Sequence, residues 1–292
     1  MKIAIFTDLF LESAGGIPSA IKAQKSALEH NGHTVYIFCP GHQTAELTKN
    51  HIHTVPTLPF KISGAPIARS SRILLKWFYQ NFDITNFDLI HSHYEMSCSI
   101  TGAILAKKHH IPLVQTMHGR EDVALLLNIP FGLRNLVASL LNLLHKHACR
   151  KIIKPSTTRK ICSKYWFTSN FKDQNSFVKT TSCAKMWQIM LRQASLANIV
   201  LTPSEHFAKK FRTIFTLCKI KKTVLSLPNG IDDNLFIRDL KPHTYNSGKV
   251  LRLISNSRVS KEKRIMTILS ALKILHSDQV HLSIYGNGNQ LK

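Results

Sequence analysis

The chain has 292 residues, of which 44% are hydrophobic and 19% charged, a globular composition with room for one large or two ordinary domains. Its formal net charge of +23, from 39 Lys and Arg against 16 Asp and Glu, attracts polyanions and leaves nucleic acid and an anionic bilayer both open as partners. Six widely spaced cysteines without a Cys-x-x-Cys pair suggest neither a zinc site nor a disulfide framework, which fits a reducing cytosol.

The first half of the chain alternates short buried strands with helices. Helical spacing of apolar residues starts at Ile17 and ends before Gly32, and a second helix is predicted at 99–109. Asp8 and Glu12 interrupt the first apolar run, so it indicates a strand rather than a signal peptide. Strands are predicted at 2–7, 35–38, 88–91 and 111–116. This order predicts an α/β fold with a Rossmann-like parallel sheet covered on both faces.

The longest apolar region, residues 123–145, contains Asn128, Pro130 and Arg134, which argues against a helix that spans a bilayer. An amphipathic helix is predicted from residue 131 to residue 147. Its apolar stripe consists of Leu133, Leu136, Val137, Leu140, Leu141 and Leu144. Such a stripe usually packs against the protein's own sheet, so we expect a core-facing helix, with a membrane-surface helix as the alternative.

Residues 150–181 are polar and basic without a period, which predicts an insertion. Lys and Arg number 15 between residues 151 and 222, against Asp173 and Glu205, so much of the positive field originates there. Strands are next predicted at 199–201 and 223–227, with Ser204 as the N-cap of the helix between them.

A polar stretch at residues 239–249 predicts a linker between domains. A strand, a helix and a strand are then predicted at 250–254, 261–276 and 280–285. A complete Rossmann-like domain needs roughly 100 residues or more. We therefore predict one domain at 1–238 and an incomplete second Rossmann-like domain at 250–292.

Two loops near the ends of predicted strands carry candidate site residues. Gly15-Gly16 lies where glycine lets the backbone approach a ligand and a helix N-terminus favours negative charge, although a structural turn explains it equally well. His93 and His118 follow strands at the edge where open parallel sheets place their ligands. His118 could position or polarise a hydroxyl, or it could be a structural histidine.

Arg258 and Lys263 place cations beside the start of a helix in the second predicted domain. A nucleotide diphosphate leaving group needs such charge as its bond to a sugar breaks. A solvated basic loop is the alternative interpretation of the same residues.

Six segments, in this order, resemble the family 4 glycosyltransferases: MKIAIFTDLF with Gly15-Gly16, FDLIHSHYE, IPLVQTMHGRED, ANIVLTPSEHFAKKF, VLSLPNGID and SRVSKEKRI. The match spans nearly the whole chain outside the insertion. The resemblance implies the B-type glycosyltransferase fold, in which two Rossmann-like domains face a cleft. It also implies that the first domain mainly binds the acceptor and the second mainly binds the nucleotide sugar.

The resemblance implies roles for particular residues. Gly16 matches the family's loop glycine near the acceptor and the donor phosphate, and His118 matches the histidine beside the transferred sugar. We predict His118 as catalytic, Gly15, Gly16 and His93 as binding the acceptor, and Arg258 and Lys263 as binding the donor diphosphate.

Two departures from the family pattern stand out. Ser257 and Arg264 occupy positions where the family usually has glycine, before the phosphate-binding Arg and after the Lys. The family's pair of glutamates, seven residues apart, holds the donor ribose and assists transfer, and it would follow Lys292. We therefore expect a C-terminally truncated chain that binds ligands with or without turnover.

The predicted function is transfer of a hexose, with retention, from a nucleotide sugar such as a UDP- or GDP-sugar, without a metal or other cofactor. The MHGRED segment is similar to bacterial enzymes that glycosylate diacylglycerol, which suggests a lipid or glycolipid acceptor. The alternative is a non-catalytic basic module that binds anionic membrane or nucleic acid through residues 151–222. We expect a cytoplasmic protein, peripheral at the inner membrane face, whose nucleic acid binding is incidental to its charge.

Overall fold

The computed structural model describes residues 1–13, 15–62, 65–162, 180–230, 250–275, 279–288 and 290. The chain divides into two compact units, Met1–Asp233 and Asn234–Lys292. The predicted linker at 239–249 lies outside the described residues, as do residues 163–179 of the predicted insertion.

The first unit is built on a parallel sheet of seven strands and carries a small antiparallel pair. Its strands are β1 (Lys2–Thr7), β2 (Thr34–Pro40), β3 (Ile52–Val55), β4 (Thr57–Ile62), β5 (Ala65–Ala68), β6 (Leu89–His93), β7 (Leu113–Thr116), β8 (Ile199–Thr202) and β9 (Thr223–Ser226). The large sheet has the order β3-β2-β1-β6-β7-β8-β9, and every pairing in it is parallel. The strands β4 and β5 form the antiparallel pair. The predicted α/β fold with a parallel sheet is confirmed.

Helices connect these strands and cover the sheet. They are α1 (Gly16–His30), α2 (Ala45–Lys49), α3 (Ser71–Asn81), α4 (Ser97–His109), α5 (Glu121–Asn128), α6 (Arg134–Cys149), α7 (Pro155–Cys162), α8 (Thr181–Leu196) and α9 (Glu205–Leu217). The predicted N-cap is confirmed at Ser204, whose Oγ accepts a hydrogen bond from the backbone N–H of Phe207 at 3.3 Å. No helix among the described residues has the length and apolar character needed to cross a bilayer.

Both faces of the sheet are buried, as the strand β1 shows. Ile3 and Ile5 point to one face and pack with Ile21 of α1. Ala4 and Phe6 point to the other face and belong to the larger core cluster. Successive side chains of a strand alternate between faces, so an uninterrupted apolar strand is stable only when helices cover both sides.

The helix α6 does not face the core as we expected. Leu136, Leu140 and Leu144 of the predicted stripe are 66%, 54% and 57% exposed, whereas only Val137 and Leu141 pack against a buried cluster. The prediction of a core-facing apolar stripe is therefore wrong for most of its length.

The polar side of α6 faces inward because the helix α8 supplies partners for it. Ser139 Oγ accepts a hydrogen bond from Lys185 Nζ at 2.6 Å, and His145 Nδ1 lies 3.0 Å from Arg192 Nη1. Asn142 Oδ1 accepts from Nη2 of the same arginine at 2.9 Å. Arg192 is fully buried, and a buried guanidinium is stable only when its hydrogen bonds are made. These contacts fix the orientation of α6 and leave its leucines on the surface.

The second unit contains β10 (Leu251–Asn256), α10 (Ile265–Leu275) and β11 (Val280–Tyr285). Its two strands are parallel and in register from Leu251 opposite Val280 to Asn256 opposite Tyr285. The predicted order of strand, helix and strand is confirmed, with the helix beginning at Ile265 after a single 3-10 turn at Lys261–Lys263.

Candidate functional site

The candidate site lies at the carboxyl ends of the central strands. Strands β2 and β3 lie on one side of β1, whereas β6 to β9 lie on the other. Open parallel sheets bind their ligands outside the carboxyl ends of the strands, at the point where the strand order reverses in this way. His93 is the last residue of β6, and His118 lies two residues beyond β7. The first unit therefore brings these two predicted site residues together.

A stack of three histidines forms this edge of the sheet. The ring centroids of His91 and His93 are 4.2 Å apart, and those of His93 and His118 are 5.0 Å apart with an interplanar angle of 21°. His93 Nδ1 lies 2.7 Å from His118 Nε2. His93 is only 2% exposed, whereas His118 is partly exposed. His118 is therefore the histidine that a ligand can reach, and His93 supports it from behind.

Burial keeps all three histidines neutral. It lowers the pKa of His91 to about 3 and that of His118 to about 4, and it lowers the pKa of His93 well below the usual value. His91 is also held in place, since its Nδ1 lies 3.2 Å from Gln24 Nε2 and its Nε2 lies 2.7 Å from Thr116 Oγ1.

Neutrality has a consequence for the outer nitrogens of the His93 and His118 pair. Only one of the two nitrogens that meet carries the shared proton, so one outer nitrogen is an N–H and the other a lone pair. These outer atoms, His93 Nε2 and His118 Nδ1, are buried and have no hydrogen-bond partner among the described residues. The two roles are exchanged in the alternative tautomer of the pair, in which each ring carries its single proton on the other nitrogen. His118 can therefore serve a hydroxyl as acceptor or as donor.

Asp8 fixes the loop after β1 against the start of α4. Its carboxylate accepts hydrogen bonds from the backbone N–H groups of Met96 at 2.9 Å, Cys98 at 2.6 Å and Ser99 at 3.3 Å, and from the Ser99 hydroxyl at 2.9 Å. Burial raises the pKa of Asp8 and these hydrogen bonds lower it, with burial the larger effect. We did not assign Asp8 from the sequence. The available signal was a carboxylate directly after a buried strand.

Tyr94, Glu95 and Glu121 form a second polar group next to the histidines. Tyr94 has φ 85°, its hydroxyl donates to Glu121 Oε2 at 2.7 Å, and its carbonyl accepts from Gln115 Nε2 at 2.7 Å. Burial raises the pKa of Glu121 and raises that of Glu95 well above the usual value. A tyrosine with positive φ costs free energy and is typical of functional sites. Although both glutamates lie in the segments quoted for the family resemblance, we assigned them no role.

Gly15 and Gly16 lie where the predicted loop enters α1. A Cβ atom on Gly16 would have no atom within 4 Å, and one on Gly15 would meet only Pro18 at 3.5 Å. No side chain among the described residues caps the N-terminus of α1. The packing of the first unit therefore does not require these glycines, whereas a ligand that approaches the helix N-terminus would.

Arg258 and Lys263 lie in the second unit between β10 and α10, with Arg258 before the 3-10 turn and Lys263 as its last residue. Gly286 and Gly288, which we did not assign, follow β11. A Cβ atom would lie 1.8 Å from the Ser257 carbonyl oxygen if placed on Gly286, and 2.1 Å from that of Val259 if placed on Gly288. This close approach lets the backbone N–H groups of Ser257 and Val259 donate to Tyr285 and Asn287, both at 3.0 Å. The two glycines thus hold the Arg258 loop.

Arg264 occupies a position at which the family resemblance implies glycine. It adopts φ 53° and ψ 39°, the left-handed conformation, where a side chain is strained. Across the described part of the chain, no group of three or more His, Cys, Asp or Glu side chains is arranged to hold a metal ion.

A family model for Glycosyltransferase Family 4 matches residues 14–160, half of this chain. Two curated relatives are each named alpha-monoglucosyldiacylglycerol synthase. The Streptococcus pneumoniae protein is 22% identical over 306 residues, which cover 100% of this chain and 57% of that protein. The Acholeplasma laidlawii protein is 31% identical over 124 residues, or 40% of this chain and 30% of that protein. The chain thus spans a little over half the length of the Streptococcus pneumoniae protein.

Solved structures of proteins with bound nucleotides share the fold. Anabaena HepE in complex with UDP and glucose aligns with a TM-score of 0.53 at 15% identity, covering 99% of this chain and 62% of HepE. The catalytic domain of starch synthase IV from Arabidopsis thaliana, bound to ADP and acarbose, also gives a TM-score of 0.53, at 13% identity, and covers 98% of this chain and 68% of that domain. The predicted B-type glycosyltransferase fold is confirmed by these similarities.

Proposed function

The chain belongs to Glycosyltransferase Family 4, and we propose that it transfers a sugar, with retention, from a nucleotide-sugar donor to a lipid acceptor. The observation that carries this proposal is the pair of neutral histidines, His93 and His118, at the ligand-binding edge of a sheet with this family's fold. A hydroxyl needs both a donor and an acceptor, and a neutral imidazole supplies either.

The proposed chemistry assigns one task to each unit. In the first unit, His118 orients a hydroxyl of the transferred sugar, and His93 fixes the ring of His118. In the second unit, Arg258 and Lys263 bind the donor diphosphate and neutralise its charge as the bond to the sugar breaks. Because these cations come from the protein, the proposed reaction uses no metal ion.

Two observations support a lipid acceptor. Both curated relatives are named for synthesis of alpha-monoglucosyldiacylglycerol. The second observation is the exposed apolar side of α6 together with the residue before it. We call this surface the leucine face, and it consists of Leu133, Leu136, Leu140, Leu143 and Leu144. Phe131, 83% exposed, lies just before this helix.

The leucine face has the character of a surface that lies on an anionic bilayer. Three exposed cations follow the leucine face along the chain: Lys146, Arg150 and Lys151. An amphipathic helix with basic residues binds such membranes because its apolar side enters the interface and its charges attract anionic lipids. We therefore propose a protein that works peripherally at a membrane surface, where a lipid acceptor resides.

A transfer assay with product analysis tests the proposed function. The chain would be incubated with UDP-glucose, GDP-glucose or ADP-glucose and with diacylglycerol in mixed micelles, followed by NMR of any glycolipid formed. We expect an α-linked product from one donor, since these donors carry an α-linked sugar and the reaction retains it. A β-linked product, or nucleotide-sugar hydrolysis without glycolipid, would contradict the proposal.

A further inference from the structure

A basic cavity lies on the side of the large sheet where its strands begin. A cavity of about 650 Å³ opens beside the residues that lead into β7, β8 and β9. It is lined by His110 to Leu113 before β7, by Ala197 and Asn198 before β8, and by residues 219–222 before β9. The histidine pair lies at the carboxyl ends of the strands, so this cavity is distinct from the candidate sugar-transfer site.

The cavity concentrates positive charge. Six lysines line it: Lys107, Lys154, Lys160, Lys219, Lys221 and Lys222. No Asp or Glu is among the lining residues, and none of the ion pairs seen within the described residues includes these lysines. Like charges gathered around one space repel each other, and a bound anion would relieve that repulsion.

Backbone contacts hold two of the lysines in position without neutralising them. Lys160 Nζ donates to the Lys219 carbonyl at 3.0 Å, and Lys222 Nζ donates to the carbonyl of Ala197. Burial lowers the pKa of Lys222, and the neighbouring charge of Lys107 lowers it further. The ammonium groups are thus partly ordered before any ligand binds, which reduces the entropy cost of binding.

The rest of the lining matches an anion that carries an organic group. Ser156 and Thr157, in the first turn of α7, add hydroxyl groups at a helix N-terminus, where negative charge is favoured. Aliphatic side chains, including Ile111, Ile152 and Ile220, provide an apolar wall. The volume lies within the range of roughly 300–1,000 Å³ that is typical of pockets for small ligands.

We propose that this cavity binds an organic phosphate ester, whose phosphate is held by the lysines and whose carbon skeleton lies on the aliphatic wall. A free phosphate ester and the headgroup of an anionic phospholipid share this chemistry. The proposal does not depend on sugar transfer, because the cavity and the histidine pair lie at opposite edges of the sheet.

Calorimetry on the full chain tests the proposal with three probes: glycerol 3-phosphate, phosphatidylglycerol vesicles and phosphatidylcholine vesicles. The cavity variant is Lys107→Gln/Lys154→Gln, since both side chains are exposed and their replacement leaves the core intact. The matched control is Lys76→Gln/Lys108→Gln, which removes the same charge from exposed positions that do not line the cavity. Lys108 is the next residue along α4, and its Nζ lies over the Tyr79 ring at 4.8 Å.

We expect the cavity variant to bind glycerol 3-phosphate or phosphatidylglycerol about tenfold more weakly than the native chain, with the control nearly unchanged. Loss with glycerol 3-phosphate identifies a free ester as the ligand, and loss with phosphatidylglycerol alone identifies a lipid headgroup. Equal weakening in the two variants would show general attraction to positive charge and overturn the proposal. The proposal would also be overturned if the native chain bound neither glycerol 3-phosphate nor phosphatidylglycerol vesicles.

Discussion

His93 Nδ1 lies 2.7 Å from His118 Nε2, so the last residue of β6 directly supports the histidine that follows β7. The two residues are 25 positions apart in the chain and meet because β6 and β7 are neighbouring parallel strands. In this account His118 faces the substrate, and His93 fixes its ring through this hydrogen bond.

The support given by His93 can be tested with two substitutions. His93→Phe keeps an aromatic ring in the stack but removes the nitrogen that meets His118, so we expect kcat to fall about fivefold to tenfold with little change in KM. His93→Asn places an amide near the lost nitrogen and should restore part of the rate. Steady-state sugar-transfer kinetics measure both effects. Equal rates for the two variants would indicate that His93 only fills space.

The pH dependence of the reaction should show the lowered pKa of His118. Its pKa in the folded chain is about 4, compared with a usual value of 6.5, because burial disfavours the charged ring. The neutral form therefore persists as the pH falls below 6.5, and kcat/KM should keep its value until the pH approaches about 4. A profile of kcat/KM measured with the enzyme kept folded checks this. An acid limb centred near 6.5 that is lost in His118→Asn would contradict it.

Protonation of His118 also links pH to stability. The folded pKa of His118 lies below its unfolded value, so the unfolded chain binds the proton more tightly. The contribution of neutral His118 to the free energy of unfolding is fully present above pH 6.5 and is lost as the pH falls from 6.5 toward about 4. We expect the free energy of unfolding of His118→Asn to decrease less over this range than that of the native chain. Urea titrations at several pH values measure the difference.

Gly16, at the start of α1, should affect sugar transfer and not the stability of the fold. Since a Cβ on Gly16 would meet no atom within 4 Å, Gly16→Ala should leave the thermal midpoint unchanged or slightly higher. If a ligand approaches that backbone, transfer should fall by roughly tenfold or more. Gly102→Ala should instead lower the thermal midpoint without acting on the ligand site. Its Cβ would lie 2.8 Å from Ser92 Oγ and 2.9 Å from a Phe6 ring carbon. Full activity in Gly16→Ala would remove Gly16 from the site.

The strained residue of the second unit offers a stabilising substitution. Arg264 is exposed and left-handed, with φ 53°, so Arg264→Gly should stabilise this unit by about 1 kcal/mol. Lys261→Gly is the matched control, since Lys261 is not among the residues with positive φ, and it should destabilise the same turn. Hydrogen exchange in the second unit measures both. Destabilisation by Arg264→Gly would contradict the account of this turn.

The sheet could be predicted from the sequence because its strands are short apolar runs. Ile3, Ala4, Ile5 and Phe6 are buried on two faces, and such runs separated by helical periods indicate a parallel sheet without further information. The segment 45–81, with its antiparallel pair and two helices, was not predicted, nor were the helices α5, α7 and α8. The helix α7 lies within residues 150–181, which the sequence indicated as an insertion without a period.

The orientation of α6 could not be predicted because it depends on the partners that α8 provides. Taken alone, Leu136 and Leu140 look like core residues and Asn142 and His145 like surface residues. The buried Arg192 reverses this pattern, since its donors need Asn142 and His145. Similarly, strand ends indicated His93 and His118 as site residues, whereas the buried position of His93 behind His118 follows from the packing of two strands.

The measurement that tests the central claim most directly is sugar transfer to diacylglycerol embedded in phosphatidylglycerol vesicles. It would compare the native chain with His118→Ala and with Leu136→Ser/Leu140→Ser/Leu144→Ser, using a water-soluble short-chain diacylglycerol as a second acceptor. We expect His118→Ala to be inactive on both acceptors, and the leucine-face variant to lose transfer on vesicles while keeping it on the soluble acceptor. Native-like transfer by His118→Ala, or equal loss on both acceptors in the leucine-face variant when it remains folded, would contradict the account.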